Sequence, residues 1–271
     1  MNASVPVSVS GEYTPLVGSC GGLFIVWYAP GPGQDYLWEL TGTDGEHTTT
    51  PISVNGEYEP FIGDFDGDTC DDIFWYAPGS GQDYVWWNNS DFGDVDTRPV
   101  TVNGTYEPLV FELDDGGWDD IFWYQPGPGP EFIWEGQIDQ SFEPSPAAPV
   151  NGDYRAAAVR DEILFHGPGT APDYLWSGVE AGAPAPTEST PITLNGDYQP
   201  FAANRELGSV VLYGPGSGYD QIATSLSDPP IDYYPGTVNG TYTVGRSSPT
   251  VSHLAIVWHA PGPATDYLWL D

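Results

Sequence analysis

Nine residues about a quarter of the way along the chain form a stretch that could hold a metal ion. The stretch Asp64-Phe65-Asp66-Gly67-Asp68-Thr69-Cys70-Asp71-Asp72 puts carboxylates at loop positions 1, 3, 5 and 9, on Asp64, Asp66, Asp68 and Asp72. A hard, oxygen-seeking ion such as Ca2+ takes that donor set, and a backbone carbonyl near position 7, that of Cys70, would complete the shell. A later loop, Glu112 to Asp120, keeps carboxylates at positions 1, 3 and 9 (Glu112, Asp114, Asp120) with Gly116 at position 5, a weaker site. Without an ion, both are solvated acidic turns. A second set of residues could meet a sugar: Gln34-Asp35-Tyr36, Gln82-Asp83-Tyr84, Asp173-Tyr174 and Asp266-Tyr267 place an aromatic ring beside amide and carboxylate groups. Rings suit the C–H faces of a sugar and the polar groups suit its hydroxyls, and repetition would add avidity to weak sites. The structural alternative is that these residues are turn and corner chemistry. His47, His166, His253 and His259 are not at metal spacing, and no Ser/His/Asp set, phosphate loop or paired-carboxylate motif stands out. No enzyme is expected.

The elements that position these residues repeat. Gly-x-Tyr recurs at Gly11, Gly56, Gly104, Gly152, Gly196 and Gly240, at steps of 45, 48, 48, 44 and 44 residues. A Pro-Gly turn recurs in step at Pro30, Pro78, Pro126, Pro168, Pro215 and Pro261, each followed by an acidic residue: Asp35, Asp83, Glu131, Asp173, Asp220 and Asp266. Such a period marks a repeat architecture. Each repeat reads as four short strands: A after Gly-x-Tyr (Glu107 to Phe111), B an aromatic run (Ile121 to Tyr124), C a short run (Phe132 to Trp134), and D the segment before Asn-Gly (Pro51 to Val54, Pro99 to Val102). Four-stranded meanders of this size are propeller blades. The chain ends on a strand C, and Val5 to Val9 matches strand D. The N-terminal strand is therefore expected to complete the last blade, giving one all-β domain, a six-bladed β-propeller over residues 1–271. Trp27, Trp75, Trp123 and Trp258 in strand B, like Trp38, Trp86, Trp134, Trp176 and Trp269 in strand C, read as packing rings.

The second repeat resembles the FG-GAP/VCBS repeat, the blade unit of integrin-type propellers. The resemblance lies in Gly63-Asp-Phe-Asp-Gly-Asp68, Asp71-Asp-Ile-Phe74 and Ala77-Pro78-Gly79. It implies a calcium-bound propeller, although Thr69 stands at loop position 6 where the family commonly has Gly. At fold level there is also an analogy with propeller lectins.

The 39 acidic residues face five arginines and no lysine, a formal net charge of −34. Such a surface repels nucleic acid and anionic lipid and favours divalent cations or a salty medium. No run is long and apolar enough for a membrane helix, and the N-terminal residues show no signal-peptide pattern. Two cysteines, Cys20 and Cys70, exclude a Cys-only zinc site and leave one disulfide or two free thiols. They lie in equivalent A–B connections of adjacent repeats, which favours the disulfide. These features predict a non-enzymatic, extracellular or cell-surface recognition module that binds glycans, lectin-like, with structural Ca2+. The alternative is a structural or assembly subunit of a surface layer, fibre or phage particle.

Overall fold

A computed structural model describes residues 3–270 except 43, 91, 93–94, 114–115, 184, 205–208, 217, 224–232, 237, 248–254 and 263. Its 24 strands form six four-stranded antiparallel sheets, the blades of a six-bladed β-propeller, with no helix among the described residues. None of it is therefore a helix long and apolar enough to cross a membrane. Five blades are consecutive meanders. The sixth is completed by β1 (Ala3–Val7), which pairs antiparallel with β24 (Asp266–Leu270) from Ala3↔Leu270 to Val7↔Asp266. That strand covers an edge that would otherwise be left unpaired.

The chain divides into two compact units. One comprises Met1–Asp64, Asp68–Gly104 and Thr241–Asp271, holding blades one, two and six; the other comprises Phe65–Gly67 and Thr105–Gly240, holding blades three to five. Within each unit the core lies between blades. In the first unit Leu16, Phe24, Val26 and Tyr28 of blade one meet Ile62, Ile73 and Trp75 of blade two. In the second, Leu109, Phe122 and Tyr124 of blade three meet Ala158, Ile163 and Phe165 of blade four. Strand B is buried along its whole length, as in β7 (Asp72–Tyr76) and β11 (Asp120–Tyr124), which is why it reads as an unbroken apolar run.

Strand D departs from the sequence expectation. It runs over β5 (His47–Ile52) and β9 (Val95–Val100), beginning about four residues earlier and ending before Val54 and Val102. This outer strand is mostly exposed, so His47-Thr-Thr-Thr-Pro-Ile52 carries no apolar alternation to read. Pro51 and Pro99 sit on it opposite Tyr36 and Tyr84, where an edge strand tolerates a missing donor. The Asn-Gly pairs are not hairpin turns either. Gly56, with φ near +146°, bridges Gly31 of the preceding blade's Pro-Gly turn, and Tyr58 folds back so closely that a Cβ on Gly56 would lie 2.5 Å from its ring. The two recurrent glycines are thus partners, as in Gly79↔Gly104, Gly127↔Gly152, Gly169↔Gly196 and Gly216↔Gly240.

Candidate functional site

In five blades the acidic residue after the Pro-Gly turn faces inward and pins its blade, Asp220 through the Gly214 and Val238 N–H groups among them. Asp35 Oδ1 accepts the Ala29 N–H at 2.8 Å and Oδ2 accepts the Val54 N–H at 2.7 Å. Asp83 does the same with Ala77 and Val102, Asp173 with Gly167 and Leu194, and Asp266 with Ala260 and Val9. The four carboxylates are at most 1% exposed. The side-chain amides of Gln34 and Gln82 are also engaged, each donating to two backbone carbonyls. Of the set expected to meet a sugar, the acidic groups hold the fold together. Tyr36, Tyr84 and Tyr174 are half-buried, and Tyr267 is exposed.

A second fastening lies at the end of strand B. The Tyr28 hydroxyl donates to Gly56 O at 2.9 Å and accepts the Tyr58 N–H at 2.9 Å, joining blades one and two. His166 replaces that tyrosine in blade four: its Nδ1 meets Asp173 Oδ1 at 2.7 Å and its Nε2 accepts the Tyr198 N–H at 3.2 Å. His259 does likewise with Asp266 and Tyr13. A neutral imidazole with its proton on Nδ1 fits both contacts.

The loop expected to hold calcium folds as a compact acidic turn. Asp64, Asp66 and Asp72 are buried and each bring one carboxylate oxygen within 4.8 Å of the others. Thr69 takes φ near +75°, so the position where the family has Gly does adopt the left-handed conformation. Asp68 is exposed and lies outside that trio, its Oδ1 accepting the Cys70 N–H at 2.8 Å. An all-oxygen trio of buried like charges is a donor set that fits a hard cation. In the third blade, Asp120 accepts the Leu113 and Gly136 N–H groups and Glu112 accepts that of Gly117, while Asp114 lies outside the described residues. Cys20 and Cys70 are joined in a disulfide, beside hydrogen bonds from the Asp71 N–H to Ser19 O and from the Ser19 N–H to Asp71 Oδ2.

Two features were missed in the sequence. The first is a groove on blade four with a volume of about 200 Å3, lined by Asn151, Tyr154, Phe165, Tyr174, Trp176 and Ser189 among others. Its signal was Phe165, which stands where Trp27, Trp75, Trp123 and Trp258 stand in four other blades. The second is polar: β14 (Arg155–Val159) neighbours both β10 (Glu107–Phe111) and β18 (Gln199–Asn204), and charged residues gather at the starts of these first strands. Arg155 Nη1 donates to Asp197 Oδ1 at 2.5 Å and to Tyr198 O at 2.8 Å. Burial pushes the nearby Tyr124 hydroxyl up to about 12, and the charges of Glu107 and Asp153 push the same way, against the Tyr154 N–H. Glu107, Asp153 and Asp197 are exposed.

No protein-family model and no curated protein sequence matches the chain. Several solved structures share its fold. An α-L-arabinanase of Penicillium chrysogenum, complexed with arabinobiose, is 12% identical with a TM-score of 0.63, the match covering 99% of this chain and 98% of that one. A GH93 α-L-arabinofuranosidase of Fusarium graminearum, also with arabinobiose, is 12% identical with a TM-score of 0.60 over 98% and 97%. A family-43 (GH43) enzyme of Xanthomonas citri is 15% identical with a TM-score of 0.50 over 98% and 89%. Identities this low establish the fold. The blade architecture stands, while the FG-GAP/VCBS assignment finds no support: the three structures named are glycoside hydrolases. The same finding corrects the expectation of a non-enzymatic module. That expectation rested on the lack of a catalytic motif legible in the chain, and on a propeller such a motif is dispersed over strand ends far apart in sequence.

Proposed function

We propose that this chain is a carbohydrate-active enzyme that hydrolyses glycosidic bonds, with an arabinose-containing glycan as the first substrate to test. The observation that carries the reading is the end-to-end likeness to an α-L-arabinanase and an α-L-arabinofuranosidase, covering 97% or more of both chains in each. Hydrolysis needs one carboxyl group to protonate the leaving oxygen and a second to act as base or nucleophile. Glu107, Asp153 and Asp197 are the exposed carboxylates gathered with a cation, Arg155, at the first-strand ends. The buried pins are unavailable for this work, being engaged with backbone N–H groups. Release of reducing ends from arabinan and a polysaccharide panel tests the reading. At least one of Glu107→Gln, Asp153→Asn and Asp197→Asn is expected to slow release 100-fold or more at unchanged Tm. No release from any polymer would defeat it.

The acid loop is part of the same proposal, as a structural Ca2+ site held by Asp64, Asp66 and Asp72. A metal that binds only the native state stabilises it by about 2.7 kcal/mol at one hundred times Kd. Asp66→Ala should abolish the calcium-dependent rise in Tm; an unchanged rise would place the ion elsewhere. The disulfide supports an oxidising, extracellular setting.

A further inference from the structure

We propose that the groove on blade four binds a single sugar ring. The inference deepens the carbohydrate-active reading and takes the ligand's class from it, but it does not depend on catalysis.

Blades one and four share one aromatic frame. In blade one, Tyr13 lies 6.2 Å from Trp27 and 6.5 Å from Tyr36, and Trp27 lies 5.1 Å from Trp38. In blade four the corresponding separations are 5.8 Å for Tyr154–Phe165, 6.1 Å for Tyr154–Tyr174 and 4.9 Å for Phe165–Trp176. The frame is kept, but its central indole has become a phenyl ring. The strand D residue opposite the outer indole also shrinks, from Thr49 opposite Trp38 to Ser189 opposite Trp176. The space these changes release is bounded by the half-buried rings of Tyr154, Tyr174 and Trp176.

The lining selects the occupant. Its aromatic rings are large apolar surfaces that can cover the C–H face of a ring. Asn151 and Ser189 are exposed and supply an amide and a hydroxyl, which can donate to and accept from sugar hydroxyls. No lysine, arginine or carboxylate lines the groove, so a charged ligand finds no partner there. At about 200 Å3 it is smaller than the roughly 300–1,000 Å3 of drug-sized pockets, so it takes one ring rather than a chain of them.

The test is titration of the full chain with a panel of free pentoses and hexoses, read by tryptophan fluorescence and by ligand-observed NMR, alongside polymer hydrolysis. At least one sugar should bind the wild type. Phe165→Trp, which restores the ring that four other blades carry, should weaken binding at least tenfold. Tyr174→Ala should do the same by removing a wall rather than filling the space, which covers the case in which the larger ring misfolds. Polymer hydrolysis with sugar binding unaffected by both variants would overturn the groove and leave the enzyme reading standing. Binding lost in both variants, with no hydrolysis by the wild type, would support the groove and overturn the enzyme. Failure of every sugar to bind the wild type would overturn the groove outright.

Discussion

Blades one and four are built to the same plan and differ in what the plan leaves open. Both have a corner tyrosine, a buried strand B ring, a strand C tyrosine and tryptophan, and a pinned aspartate, Asp35 or Asp173. In blade one the frame's central ring is the fully buried indole of Trp27; in blade four it is the phenyl ring of Phe165, as well buried, which lines a groove. Regular positions in this repeat hold the protein together, and an irregular one makes room for a ligand. Carboxylates that recur in every blade are therefore poor candidates for chemistry, and residues present in one blade only, such as Arg155, are better ones.

The comparison requires the two frames to be fastened alike. Removing a pin leaves two buried backbone donors without acceptors, at roughly 1–3 kcal/mol each. Asp35→Ala should therefore cost on the order of 4 kcal/mol in urea unfolding. Asp173→Ala should cost more, because His166 Nδ1 also loses its acceptor. Equal losses would mean that the histidine contact adds nothing. A loss below about 1 kcal/mol in either blade would break the claim that the pins set the frame.

A milder change makes blade one resemble blade four. Trp27→Phe removes part of a fully buried ring, and large-to-small core substitutions lose both burial and packing, here about 1–2 kcal/mol. The variant should also gain sugar binding in blade one if room is what distinguishes the two frames. Stability lost without binding gained would show that Asn151 and Ser189, and not space alone, define the groove.

How much of this could be read in the chain follows from the same distinction. The period, strands A and B, the closing N-terminal strand and the disulfide were legible because each rests on a pattern repeated in register or on burial strong enough to force an apolar run. Strand D was misplaced because it is exposed. The sequence leaves Asp35 and its equivalents open between ligand groups and corner chemistry because they follow surface-like turns, and only the fold shows their carboxylates turned inward. The cluster proposed for catalysis was not legible because Glu107, Asp153 and Asp197 lie on three separate repeats, and only the neighbouring of β10, β14 and β18 shows that they share the same strand ends.

The smallest expected effect concerns the one irregular pin, Glu131 in blade three. It is 2% exposed, and its carboxylate oxygens make no close hydrogen bond and feel only a weak pull from the Val150 N–H, whereas Asp35 and Asp173 each hold two backbone N–H groups. Burial pushes the Glu131 carboxyl up, against a smaller opposing pull from the Val150 N–H. A carboxyl raised in the folded state binds more protons there than in the unfolded chain. Its contribution to stability therefore rises as pH falls through the folded value and levels off below the ordinary value near 4.3. Glu131→Gln mimics the protonated form at every pH. It should stabilise the protein slightly at pH 7, by under about 1 kcal/mol, and flatten part of the rise in Tm on mild acidification. Asp83, also pushed up by burial but held by two N–H groups, should keep its share of that rise in the variant. If Glu131→Gln instead destabilises at pH 7, the ionised carboxylate is serving as a pin after all, and blade three belongs with the regular blades.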